Sequence, residues 1–238
     1  MHVGLVGLGK MGNNMRERMR RAGLTVVGYD RNPEVTDTAS LAELVQKLDG
    51  PRVVWVMLPI QVVDQVIDEL KGLLAEGDLV IDGGNSKWTN DARHAQSLAE
   101  KGIHFVDCGV SGGVWGLENG YALMAGGPEN VVAIAMPVFE ALKPEGEFGF
   151  VHAGSHGAGH GGAHHGVVAH ADQAHHLHVR GHAGGAGELC VAVHTAHGVR
   201  QAVGSRARGH VVRVQRAARA AAGGHGEVFF AVLHRPFF

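Results

Sequence analysis

Along residues 1–150, short apolar runs alternate with amphipathic stretches. HVGLV (2–6), LTVVGY (24–29), RVVWVML (52–58), LVID (79–82), HFVD (104–107) and YALMAG (121–126) read as strands, each a compact run rich in Val, Leu or Ile. Helices are predicted between and after them, over 10–22, 40–48, 60–74, 88–101 and 128–142. The stretch 60–74 shows why: Val62, Val63, Val66, Ile67, Leu70, Leu73 and Leu74 recur at the three-to-four-residue spacing that lines one side of a helix. Punctuation agrees with this reading. Gly23 closes the first helix, Asp30-Arg31-Asn32-Pro33 closes the second strand, Pro59 stops the third, and a proline opens the helix at 128. Strand and helix in alternation, joined by short loops, imply parallel strands with right-handed crossovers. Strands that are apolar on both sides imply a sheet covered on both faces. The expectation is an α/β fold, a Rossmann-type doubly wound parallel sheet over 1–150.

Beyond residue 150 the pattern changes. Residues 1–150 carry 13 Lys and Arg against 20 Asp and Glu, a net of −7, while 151–238 carry 8 Arg against 3 acids, a net of +5. The chain total of −2 therefore averages two unlike halves, and gives no reason to expect a nucleic-acid or membrane partner. Fifteen of the 18 histidines lie after residue 150, where Lys, Ile, Met, Tyr, Trp and Asn are absent. Three leucines (Leu177, Leu189, Leu233) and many glycines leave little apolar area to offset chain entropy, so 151–238 is expected to be an atypical Gly/Ala/His-rich tail of low order. No apolar run approaches the roughly 18 residues of a membrane helix. A strand-like start with no cationic region before an apolar core is unlike a signal peptide. Two cysteines, Cys108 and Cys190, make no secreted-type framework, so a cytoplasmic protein with reduced thiols is the default.

The strongest local motif is GLGKMG, with Gly7, Gly9 and Gly12, placed after the first strand and opening the first helix. In such a loop the first glycine permits a tight turn and the second leaves room for a pyrophosphate. The third lets helix and strand pack closely, and the helix N-terminus offers N–H groups to the phosphates. At the end of strand two, Asp30 can accept bonds from both ribose hydroxyls, which favours NAD; Arg31 beside it can pair with a 2′-phosphate, which keeps NADP open. Two further glycine-dense loops follow later strands, DGGNSKWTND (82–91) and DCGVSGGVWGLENGYALMAGG (107–127). Loops at the carboxyl ends of parallel strands are where an open α/β sheet binds ligands.

With GLGKMG, the Met57-Leu58-Pro59 segment, DGGNS and GVSGG in this order and spacing, the chain resembles the decarboxylating 6-phosphogluconate dehydrogenases, in their short bacterial form, within the β-hydroxyacid dehydrogenase superfamily. The resemblance covers about residues 1–160. It implies that Gly7, Gly9, Met11 and Gly12 hold the pyrophosphate side of the cofactor, that Asp30 and Arg31 read the adenosine ribose, and that Met57, Leu58 and Pro59 line the site near the nicotinamide. It implies that Asn85 contacts both cofactor and sugar acid, and that Ser111, Gly112 and Gly113 bind the substrate. Simpler readings stand beside these: Met57 and Leu58 as strand-end core, Ser111 as a turn hydroxyl. The implied reaction is NAD(P)-dependent oxidation of 6-phosphogluconate and loss of carbon dioxide to give ribulose 5-phosphate, with a lysine as base and a glutamate as acid.

Those two residues are where the resemblance fails. After HAGSHGAGH (152–160), Ala163 stands near the expected lysine, Val167 near an expected asparagine and His170 near the expected glutamate. No catalytic residue is therefore assigned. An out-of-frame translation after about residue 160 accounts for the abrupt bias; sequencing the coding DNA checks it, since no neighbouring frame encoding the family's residues would refute it. The tail histidines invite a metal-binding reading, with His160/His164 and His170/His175 as pairs, but there is no accompanying carboxylate pattern, so no metal is expected. Three functions remain open: a 6-phosphogluconate dehydrogenase; another β-hydroxyacid dehydrogenase such as the 3-hydroxyisobutyrate type; and an inactive dinucleotide-binding remnant. The expected partner is a small phosphorylated sugar acid. Family members assemble as homo-oligomers through a helical domain that this tail does not resemble.

Overall fold

The computed structural model describes residues 1–146 and 149–164, together with three strands further along. Seven strands form one sheet in the order β2-β1-β3-β4-β5-β6-β7. They are β1 His2–Val6, β2 Thr25–Tyr29, β3 Val53–Val56, β4 Leu79–Asp82, β5 His104–Ser111, β6 Ala122–Gly126 and β7 Phe150–Gly154. The helices are α1 Lys10–Arg21, α2 Leu41–Gln46, α3 Ile60–Leu73, α4 Trp88–Ala99, α5 Gly116–Asn119, α6 Glu129–Leu142 and α7 Ala158–His164.

Every residue of β3, β4 and β6 is buried, as strands covered on both faces must be. On one face Met15 and Met19 of α1 pack with Val131, Val138 and Phe139 of α6 around Trp55. On the other, Leu41 and Leu44 of α2, Val63, Ile67 and Leu70 of α3 and Leu98 of α4 form a second cluster. The apolar spacing along 60–74 thus becomes the buried side of α3. The start of α2 is closed by a reciprocal cap: the Ser40 hydroxyl accepts the Glu43 N–H at 3.1 Å, and the Glu43 carboxylate accepts the Ala39 N–H at 2.7 Å.

The Rossmann-type doubly wound sheet is present, with one departure from an all-parallel arrangement: β5 and β6 pair antiparallel, from Asp107 opposite Gly126 to Ser111 opposite Ala122. The cause is length. Only a 3-10 turn at Gly113–Trp115 and the single-turn α5 join them, and a parallel crossover needs a dozen or more residues. The fifth strand also runs longer than its HFVD run, reaching Ser111, and β7 adds a parallel seventh strand. After His164 the described residues are strands, β8 His175–Arg180, β9 Glu188–Thr195 and β10 Ala231–His234, in an antiparallel sheet of order β10-β9-β8. The expectation of low order for the rest of the tail, and the expected positions Val167 and His170, lie outside the described residues. Among the described residues no helix is long and apolar enough to cross a membrane.

Candidate functional site

β1 lies between β2 and β3, the point where the strand order reverses and where such a sheet opens a crevice at its carboxyl edge. The glycine loop sits there. The Gly7 N–H bonds the Tyr29 carbonyl at 2.8 Å and the Met57 N–H bonds the Val6 carbonyl at 2.8 Å, stitching the ends of β2, β1 and β3 together. Gly7 has φ +93°, a conformation open to glycine at little cost. A Cβ at Gly12 would run into the Gly7 carbonyl oxygen, so α1 approaches β1 as closely as a glycine allows. Gly9 differs from both: a Cβ there would meet nothing within 4 Å. It is exposed, it is the N-cap of α1, and no side chain caps that helix end. Open space in front of uncapped N–H groups at the positive end of a helix dipole is what an anionic pyrophosphate fits. Met11 is half-buried against the core just behind this loop.

Asp30, immediately after β2, is aimed by backbone donors. Its Oδ2 accepts the Leu8 N–H at 2.6 Å and its Oδ1 accepts the Asn32 N–H at 2.8 Å. The carboxylate therefore ties the glycine loop to the end of β2, and each oxygen keeps a further lone pair for a ligand hydroxyl. Arg31 is exposed. Met57 and Leu58 are half-buried after β3, and Pro59 is the N-cap of α3. The Gly83 N–H bonds the Val56 carbonyl at 2.9 Å, which draws the DGGNS loop beside Met57-Leu58-Pro59 and leaves Asn85 exposed on it.

The second set lies one strand over. Ser111 ends β5 and is half-buried, with Gly112 and Gly113 leading into the 3-10 turn. This turn is tied back to α1, since the Asn14 side-chain amide donates to the Val114 carbonyl at 3.1 Å. Arg18 reinforces the tie by donating to the carbonyls of Leu142, Leu117 and Lys143 at 3.0, 3.0 and 2.7 Å. The glycine loop, Met57-Leu58-Pro59, Asn85 and Ser111-Gly112-Gly113 thus share the carboxyl edge of one sheet. The described positions do not complete a catalytic set: Ala163 is on α7, where the resemblance expects lysine.

Sequence reading missed a buried ionisable cluster behind this edge. Asp82 ends β4, Asp91 and His94 lie one turn apart on α4, Asp107 is on β5 and His160 on α7; all five are buried. His160 Nδ1 lies 2.9 Å from Asp91 Oδ2. Asp107 caps α7, its Oδ1 accepting the Gly157 N–H at 2.7 Å and its Oδ2 the His160 N–H at 3.0 Å. Burial by itself would lower the pKa of His160, but the bond to Asp91 and the charges of Asp82, Asp91 and Asp107 push it up to about 9. Burial pushes the carboxyls of Asp91 and Asp107 up, against the hydrogen bonds they accept. His160 is thus a folded, charge-paired residue and no part of a solvated histidine tract. Asp82 and Asp91 begin and end DGGNSKWTND, Asp107 opens the second glycine-dense loop and His160 ends HAGSHGAGH, but no local pattern says that chain segments so far apart will bury their charges together.

Residues 2–147 match the family model described as the NAD binding domain of 6-phosphogluconate dehydrogenase. The NAD(+)-dependent, decarboxylating 6-phosphogluconate dehydrogenase of Haloferax volcanii is 36% identical over 169 residues, which cover 67% of this chain and 55% of that protein. The decarboxylating enzyme of Haemophilus influenzae is 38% identical over 162 residues, 62% of this chain and 34% of that one. The chain thus spans between a third and rather more than half of these relatives' length. Among solved structures, the 3-hydroxyisobutyrate dehydrogenase of Mycobacterium tuberculosis superposes with a TM-score of 0.61 at 29% identity, covering 67% of this chain and 56% of that one. The 6-phosphogluconate dehydrogenase of Plasmodium falciparum superposes with a TM-score of 0.62 at 25% identity, covering 67% and 38%.

Proposed function

This chain belongs to the family of the NAD binding domain of 6-phosphogluconate dehydrogenase, and on that premise we propose that residues 1–164 bind a nicotinamide dinucleotide across the carboxyl edge of the sheet and present it to a phosphorylated β-hydroxyacid, 6-phosphogluconate. One observation carries the cofactor reading: the uncapped start of α1 faces open space at Gly9, while Gly7 and Gly12 on either side are held by contact. A bound nicotinamide supplies the hydride acceptor. The chain's own part is to hold the pyrophosphate on the N–H groups at the start of α1, and to offer the Asp30 carboxylate to the ribose hydroxyls. A carboxylate in that place repels a 2′-phosphate, so NAD is preferred over NADP, with exposed Arg31 as the group that lets NADP bind at all. Asn85 and the Ser111-Gly112-Gly113 turn present neutral polar groups to the sugar acid.

With Ala163 in place of the expected lysine, this polypeptide binds cofactor and turns over slowly or not at all. The second reading, a 3-hydroxyisobutyrate-type dehydrogenase, is favoured by the structural likeness to that class in Mycobacterium tuberculosis and Salmonella typhimurium. The test has two arms. NADH fluorescence titration is expected to show saturable binding, weakened at least about tenfold (~1.4 kcal/mol) by Gly9→Ala. Because a methyl at Gly9 meets no protein atom within 4 Å, that variant keeps the wild-type melting temperature. Absence of NADH binding, or indifference to Gly9→Ala, refutes the cofactor reading. Absorbance at the NADH band with 6-phosphogluconate or 3-hydroxyisobutyrate then separates the substrates: turnover with 3-hydroxyisobutyrate alone replaces the first reading by the second.

A further inference from the structure

In the buried cluster His160 Nε2 and one polar atom of each of Asp82, Asp91 and His94 have no hydrogen-bond partner in the protein. Asp82 Oδ1 accepts the Gly84 N–H at 3.0 Å, Asp91 Oδ2 meets His160 Nδ1 at 2.9 Å, and His94 Nε2 meets Asp64 Oδ1 at 2.8 Å. The second polar atom of each residue (Asp82 Oδ2, Asp91 Oδ1 and His94 Nδ1) is buried without a hydrogen-bond partner. Asp82 and Asp91 are fully buried and His94 is 2% exposed. One donor atom from each of the three residues lies within 4.8 Å of those of the other two. Asp91 and His94 come from one face of α4 at a three-residue spacing, and Asp82 comes from the end of the adjacent β4.

From this convergence we infer that Asp82, Asp91 and His94 form a buried structural site for one divalent cation of the Mn2+ type. The argument is a count of donors and acceptors. At His94 Nε2 the Asp64 carboxylate, 2.8 Å away, can only accept, and the Arg93 guanidinium 3.2 Å away is already bonded to the other Asp64 oxygen, so Nε2 carries the ring proton and Nδ1 presents a lone pair. Asp82, Asp91 and His94 thus each keep one buried acceptor without a partner, and the three residues bring ligand atoms within 4.8 Å of one another, an arrangement that a cation satisfies. A cation bonded at about 2.0–2.2 Å holds its ligand atoms about 3–4.4 Å apart, inside the observed bound. Charge points the same way. Asp82, Asp91 and Asp107 are buried, and buried carboxylates need compensation. Two carboxylates suit Mn2+, and the imidazole extends the set to other first-row divalent ions such as Fe2+ and Zn2+. Asp64 stands behind the imidazole as the outer carboxylate that orients a metal-ligating histidine. The site has no exposed ligand, so its role is to hold. It pins the DGGNS loop to α4 and, through Asp91 and His160, to α7, whether or not a dinucleotide is bound.

The full chain, stripped with chelator and dialysed, is titrated with Mn2+ while the electron paramagnetic resonance of the free ion is followed. Mn2+ is the probe because it lies at the weak end of the affinity series for imidazole-rich tracts, so the tail histidines compete least. One tight equivalent is expected, together with a raised melting temperature. His94→Ala abolishes both. Asp64→Ala, a change at a half-exposed side chain, keeps the circular dichroism spectrum and weakens Mn2+ about 10–100-fold. No binding at about 1 mM Mn2+, or binding that both variants leave unchanged, overturns the site. NADH titration of the same samples keeps this outcome separate from that of the cofactor site.

Discussion

Replacing Gly12 with alanine is expected to lower the melting temperature by about 2–12 °C and to remove dinucleotide binding. The methyl would be driven into the Gly7 carbonyl oxygen, with the Gly7 carbonyl carbon at 3.0 Å. These are backbone atoms, fixed by the bonds that stitch β1 to β2 and β3, so no side chain can swing away. The helix must lift from the strand instead. Overpacking of this kind costs about 1–3 kcal/mol or more, and about 2–4 °C accompanies each kcal/mol in a chain of this size. Lifting α1 also moves the N–H groups that receive the pyrophosphate. Differential scanning calorimetry with NADH titration checks both effects, and Gly9→Ala is the control in which binding falls while the melting temperature holds. A Gly12→Ala protein that melts within about 1 °C of wild type would show that α1 does not sit on β1 as described.

The second large effect is on stability against pH. His160 has a folded pKa of about 9 against an ordinary 6.5, because it lies among Asp91 on α4, Asp82 on β4 and Asp107 on β5. A raised histidine pKa stabilises the fold fully below pH 6.5, and that contribution is lost as pH climbs through about 9. At about 1.4 kcal/mol per pKa unit the loss is roughly 3 kcal/mol across this window. The raised carboxyls of Asp91 and Asp107 act in the same direction at lower pH: each favours the fold when protonated and loses that contribution as pH rises through its folded value. Thermal melts of the chelator-treated, metal-free chain from pH 6.5 to 10 are therefore expected to show falling stability. His160→Gln should melt lower at pH 7 and lose most of the slope between pH 7 and 9.5. A wild-type melting temperature flat over that range would mean that the Asp91–His160 pair is not buried and charged.

Much of the fold is legible in local sequence because its signals are local. The three-to-four-residue spacing in 60–74 is the buried side of α3, and Ser40 with Glu43 marks the start of α2 before any packing is known. The glycine loop is equally legible, since each glycine answers a constraint within one strand-turn-helix unit. The direction of β6 is a partial case. The ten residues between Ser111 and Ala122 are too few for a parallel crossover, so the reversal was readable from length, although apolar runs alone suggest another parallel strand. Asp30 shows the opposite limit. Its position after β2 is visible in the sequence, but its bond to the Leu8 N–H, which makes it a fastener of the phosphate loop as well as a ribose acceptor, requires the loop and strand end to be brought together.

By itself, then, the sequence determined the order and type of the first six strands and of the five helices α1 to α4 and α6, the phosphate loop with its three glycines, the loops that carry the family resemblance, and the loss of the expected lysine at Ala163. The tertiary structure alone decided which charges are buried together. Asp82, Asp91, His94, Asp107 and His160 come from two strands and two helices, and in the unfolded chain each is a solvated group with no relation to the others. Side-chain periodicity records which face of an element is apolar. Coupling between ions arises only when water is removed from the space between them, and that happens when α4 and α7 close over the ends of β4 and β5.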